Sequence, residues 1–199
     1  MTIRTLSALL LLAMLGAVDV QGAEFSRRGF DTTDVIELSG PIEEGDLERL
    51  RELAAPRRQK SGPVVVIALN SRGGEIAEAD AIAQYVARSG WDVAVTTRNV
   101  CASACFLILA SGRRKFVHED AYVGIHGAAN SKGQQDQGAL AATTFMARSF
   151  KRLGVPENLV GRMVTTPPDK MAWLRANDLL PMKVEIILRD DARLSSIRN

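Results

Sequence analysis

Residues 63–95 read PVVVIALNSRGGEIAEADAIAQYVARSGWDVAV. The run PVVVIALN is continuously apolar and rich in β-branched residues. That pattern predicts a strand buried on both faces, because a half-solvated strand would alternate. SRGG, residues 71–74, is a tight turn. The segment that follows carries Ile76, Ala79, Ile82, Ala83 and Val86 on one side and Gly90 past its end. It predicts a helix closed by a left-handed glycine. WDVAVTT reads as a second strand. Strand, turn, helix, strand in this order predicts a parallel sheet with right-handed crossovers. In such sheets, sites gather at the carboxyl ends of the strands. SRGG lies at one of those ends.

The pattern continues in both directions. Upstream, VIELSGPI predicts a strand and turn, and EEGDLERLRELAA an amphipathic helix with Leu47, Leu50 and Leu53 along one side. EFSRRGFDTTD is polar and reads as loose chain. Downstream, RNVCAS reads as a turn and ACFLILASG as a buried helix ended by Gly112. Short strands are predicted around Phe116–Val117 and Ala121–Ile125. Helices follow over ALAATTFMARSFKRLG and PENLVGRMV, with Pro156 suited to a first turn. KMAWLRANDLL predicts a further short helix and KVEIIL a last strand.

The chain has 199 residues, an apolar share of 46% and a net charge of +2. One domain over residues 34–190 is expected, with a polar tail at 191–199. The charge is too small for a nucleic-acid partner, and PRRQK and GRRK read as solvated surface. Arg4, the apolar run Leu6–Val18 and the small residues Gly22 and Ala23 predict a secretory leader over residues 1–23, cut near Gly22 or Ala23. Its apolar core is shorter than the roughly 20 residues of a membrane span, though an uncleaved anchor is the alternative. No other segment reads as a span. The expected location is therefore exported, in the periplasm or secreted. Outside the cytosol, Cys101 and Cys105 can oxidise. On a helical turn their Cα atoms would lie about 6 Å apart, within bridging range. A bridge and two buried thiols both fit. Two histidines, His118 and His126, and one cysteine pair make no zinc set.

An acyl-transfer site needs an activated hydroxyl, a base, a group that orients the base, and N–H donors for the oxyanion. Ser103 begins the buried helix, where free N–H groups and the helix dipole favour negative charge. The Ala104 N–H follows it in chain. Gly73 and Gly74 let backbone approach a substrate. His126 ends the strand AYVGIH, whereas His118 lies in the polar VHED. Taken singly, Ser103 is a helix cap, His126 a structural histidine and SRGG a turn.

In combination, Asn70, Ser71, Gly73 and Gly74, then Ala102 and Ser103, then Ile125 and His126, resemble the Clp protease proteolytic subunit. More specifically, the pattern is similar to exported Clp-like proteins of the crotonase superfamily. The resemblance covers about residues 34–127. It implies a layered α/β fold of repeated β-β-α units with mainly parallel strands. It also implies Ser103 as nucleophile, His126 as general base, and Gly74 and Ala104 as oxyanion donors. The acid would be Asp169, with Asp178 as second choice. Arg72 replaces the family proline, and Cys101, Ala104 and Cys105 change the serine turn. A Cys101–Cys105 bridge would hold that turn. The implied activity is an ATP-independent serine peptidase that needs no cofactor and acts on peptides or unfolded chains. A homo-oligomer is also implied. Two other classes share the scaffold: a non-catalytic binding protein, and a crotonase-type acyl-CoA enzyme, against which export argues. A serine–lysine variant is a further cousin, but GIHG favours histidine.

Overall fold

The computed structural model describes residues 22–30, 32–55 and 64–189. The predicted leader, apart from Gly22 and Ala23, and the predicted polar tail lie outside these residues. The chain order is β1 (Glu24–Gly29), β2 (Thr33–Ser39), α1 (Asp46–Ala54), β3 (Val64–Asn70), α2 (Ile76–Ser89), β4 (Asp92–Val95), β5 (Val100–Ala102), α3 (Cys105–Ser111), β6 (Lys115–His118) and β7 (Tyr122–Ile125). After these come α4 (Gln137–Arg152), α5 (Glu157–Thr165), β8 (Ala172–Leu174), α6 (Ala176–Leu179), a 3-10 turn at Leu180–Met182, and β9 (Val184–Ile187).

Six strands form one sheet in the order β1-β2-β3-β4-β6-β9. Every neighbouring pair is parallel except β1–β2. A smaller sheet, β5-β7-β8, pairs β5 and β7 in parallel and β7 and β8 antiparallel. The expected α/β layering with mainly parallel strands is the observed architecture. In β3, Val66, Ile67, Ala68 and Leu69 are all buried, as the unbroken apolar run requires. Gly90 closes α2 at φ +64°.

The core centres on α3. Every residue from Cys105 to Ser111 is buried, and the helix touches α2, α4, β4, β5 and β7. Phe106 meets Phe150 of α4 with ring centroids 5.0 Å apart. Each fully buried side chain of this size stabilises the fold by about 1.5–3 kcal/mol. No helix among the described residues is long and apolar enough to cross a membrane.

Three readings change. Residues 24–29, expected to be loose, form β1, which pairs with β2 and so extends the sheet upstream of residue 34. Its polar residues suit an edge strand, whose outer face meets water. Arg27 also turns inward, donating to the Leu53 carbonyl and to Asp34. Residues 100–102, expected as part of a turn, form β5. Lys170–Leu180 is a strand and a four-residue helix rather than one helix. Gly124 explains this: a Cβ there would lie 2.7 Å from Met171 and 2.9 Å from Trp173, so the bare backbone of β7 admits β8 beside it.

Candidate active site

The turn after β3 and the turn after β5 are physically joined. Ser71 donates its N–H to the Val100 carbonyl at 2.8 Å, and Ala102 donates to the Ser71 carbonyl at 3.0 Å. Gly73 then passes directly over the serine turn. A Cβ on Gly73 would fall 2.8 Å from both the Ala102 carbonyl oxygen and Ser103 Cβ, and 2.9 Å from the Ala104 nitrogen. With φ at +100°, the position demands glycine twice over. The Ser71 hydroxyl accepts from the Gly73 N–H at 3.1 Å and fixes this corner.

Ser103 itself has φ +56°. A non-glycine residue there is strained, and such strain persists only where the surroundings impose it. Three contacts do so here. The Ser103 N–H donates to the Gly124 carbonyl at 2.9 Å. The Ser103 carbonyl accepts from Phe106 at 3.0 Å, which begins α3. Cys101 and Cys105, both fully buried, are joined by a disulfide across the turn, with Cα atoms 5.3 Å apart. Ser103 thus lies just outside α3 on a sharp corner, with Ala104 in the cap position.

His126 follows β7, two residues beyond the carbonyl that holds Ser103. Since β5 and β7 are parallel with Ala102 opposite Gly124, both site residues emerge from the same end of the small sheet. The ring is half-buried, and its Nδ1 is 3.1 Å from the Pro168 carbonyl oxygen. A carbonyl only accepts, so Nδ1 carries the proton and Nε2 presents a lone pair. Burial lowers the imidazole pKa from its ordinary value, and the Pro168 carbonyl opposes that only in part. The neutral, proton-accepting form therefore prevails near neutrality. The chain beyond it is pinned by Gly127 N–H to the Thr166 carbonyl, 2.9 Å, and by Ala128 N–H to the Thr143 hydroxyl, 2.8 Å.

The donor pair is also available. Among the described residues, neither the Gly74 nor the Ala104 N–H has an acceptor. Gly74 sits against the strap that links β2 to α1, where a Cβ would lie 2.1 Å from the Ile42 carbonyl oxygen. Ile42 donates to the Gly73 carbonyl at 2.9 Å, and Glu75 donates to the Ile42 carbonyl at 2.8 Å. Both bonds flank Gly74 and neither uses its own N–H.

The carboxylates stand differently from the expected triad. Asp169 is exposed and adjacent in chain to Pro168, and the ring's bond goes to that backbone carbonyl. Asp178 is committed elsewhere. It accepts from Arg162 at 2.8 Å and caps α6 through the Arg175 N–H at 2.8 Å. Pro168 gave no signal in sequence, because a carbonyl is supplied by every residue type. His118 ends β6, where its Nδ1 accepts from the Asp120 N–H at 3.1 Å. Among the described residues no group of acids, histidines and cysteines could hold a metal ion.

A protein-family profile described as Clp protease matches residues 26–153. Among solved structures, ClpP1 from Listeria monocytogenes aligns at TM-score 0.59 with 18% identity, covering 79% of this chain and 93% of that one. A membrane-bound stomatin-specific protease aligns at TM-score 0.60 with 17% identity, covering 80% and 81%. Human enoyl coenzyme A hydratase domain-containing protein 3 aligns at TM-score 0.59 with 14% identity, covering 87% and 74%. The search of curated proteins returns no match.

Proposed function

The chain belongs to the Clp protease family, and from that premise we propose that it is a serine peptidase of the cell envelope working without ATP. Ser103 attacks the scissile carbonyl while His126 takes its proton at Nε2, and as the peptide C–N bond breaks His126 gives that proton to the departing amine. The Gly74 and Ala104 N–H groups receive the oxyanion, and the acyl-enzyme is released by water that His126 activates. The observation that carries this reading is the positive φ of Ser103 on a corner clamped between Gly73 and Gly124. A turn that served only to cap a helix would not require it.

The Pro168 carbonyl selects the tautomer that a buried acid selects in the familiar triad. It supplies a dipole rather than a full charge, so it stabilises the imidazolium less. Slow turnover is the expected consequence. The expected leader implies an envelope location, where no ATP-driven unfoldase delivers chains. Substrates are then peptides or already unfolded segments.

A fluorophosphonate probe tests the reading. The wild-type chain should acquire one phosphonyl adduct, at Ser103, and Ser103→Ala should acquire none. Equal failure of both to label would leave the scaffold as a binding protein without acyl-transfer chemistry.

A further inference from the structure

We propose that the leader is removed between Gly22 and Ala23, and that the α-ammonium so formed is held by the buried carboxylate of Asp46. In this structure the Ala23 nitrogen already donates to Asp46 Oδ2 at 3.2 Å. Asp46 is fully buried at the start of α1. Its Oδ2 also accepts from the Glu43 N–H at 2.8 Å, and its Oδ1 is paired with Arg49. A buried carboxylate facing a chain nitrogen is a built receptor for a terminal ammonium, since charge-assisted bonds are roughly twice as strong as neutral ones.

The choice of bond follows from burial and from the residues at the cut. Ala23 is 4% exposed and belongs to the core, so a cut after it would remove a packed side chain and the bond to Asp46. That cut would also place Gln21 third from the bond. A cut before Ala23 places compact Val20 third and Gly22 last, the pattern leader-removing endopeptidases accept. Hydrolysis consumes one water. Its hydroxyl joins the Gly22 carbonyl carbon, the C–N bond breaks, and a proton goes to the Ala23 nitrogen. The new carboxyl group then gives its proton to the amine, leaving carboxylate and ammonium.

The pair has a structural reach. Glu43 and Ile42 form the strap that lies against Gly73 and Gly74, so holding Asp46 fixes the backing of the candidate oxyanion corner. The charged groups around the new terminus are Asp46 and Arg49 of α1, Glu43 of the strap, and Glu24 next in the chain. Asp46 is the one in direct contact with the Ala23 nitrogen.

The full chain, leader included, is exported into a bacterial envelope and recovered. N-terminal sequencing should read Ala-Glu-Phe. A start at Gly22, at Glu24 or later, or a retained leader, overturns the assignment. The ion pair is read separately by melting against pH. An ammonium bonded to a carboxylate has its folded-state pKa raised above the ordinary terminal value of about 7.7–8.0. Its stabilisation is therefore present below about pH 8 and lost as pH rises through the folded value. Between pH 8 and 10 the recovered protein should lose roughly 2–4 °C of Tm more than the same protein whose α-amine has been converted to a ketone by transamination. Asp46→Asn should show the same flattened profile as the ketone. Parallel profiles for the untreated and ketone forms remove the pair, even if Asp46→Asn fails to fold. Chain ends and melting do not depend on acylation of Ser103, so failure here and failure of the peptidase reading are told apart.

Discussion

Ser103 and Gly73 hold one another in place. The serine turn is strained at φ +56°, and Gly73 seals it from above with no room for a methyl group. Gly73→Ala should therefore act locally and strongly. The added Cβ meets backbone atoms that cannot swing away, and φ +100° is poor for alanine. Loss of about 1–3 kcal/mol of stability is expected, together with loss of fluorophosphonate labelling. Melting and intact mass would check the two effects. His126 gives a second residue-scale prediction. The base works only when neutral, and burial lowers its pKa. The labelling rate should rise with pH along a limb whose midpoint lies below about 6.5, and be level from pH 7 to 8. A midpoint above that value would mean that the ring is exposed or paired with a full negative charge.

At the scale of elements, α3 and β5 are joined through the Cys101–Cys105 bridge. The closed loop is so short that chain entropy contributes only about 2 kcal/mol on the loop-closure relation. The larger role is orientation, since the bridge spans the corner that presents Ser103. Cys101→Ala with Cys105→Ala should lower Tm modestly and slow labelling by a larger factor. Rates at saturating probe, compared with melting of the same samples, would separate the two. The sequence showed α3 clearly because the unbroken apolar run from Ala104 to Ala110 has only a buried place to go. It did not show β5 or β8. Val100–Ala102 and Ala172–Leu174 are three residues long, and each is a strand only because β7 lies beside it. Local pattern carries no information about a neighbour more than twenty residues away, and short strands owe their stability to that neighbour.

Across the whole molecule, the large sheet is tied by a buried charge. Asp92 starts β4 with no exposure and accepts from Arg113 and Arg114, which lead into β6. Burial alone would raise its pKa, but hydrogen bonds from Arg114 and Arg113, with their charges, outweigh burial and lower it. A depressed carboxylate contributes stability above the unfolded value of about 3.9, and that contribution is lost as pH falls through the folded value. The wild type should therefore lose Tm steeply below about pH 4, and Asp92→Asn should be less stable at pH 6 yet flatter in acid. Thermal melts from pH 6 to 3 would show whether the two profiles converge.

By itself the sequence determined the layered α/β class, the parallel strands on either side of α2, and the strand-end corner that carries Gly73. Each is written in local periodicity or in a residue type that one backbone conformation requires. Only the tertiary structure decided that residues 24–29 close the sheet edge, that the Pro168 carbonyl orients His126, and that Asp178 is spent on Arg162. A backbone carbonyl has no sequence signature, and a carboxylate's partner is fixed by which elements pack together. Those choices belong to distances between segments far apart in the chain, and no window of neighbouring residues contains them.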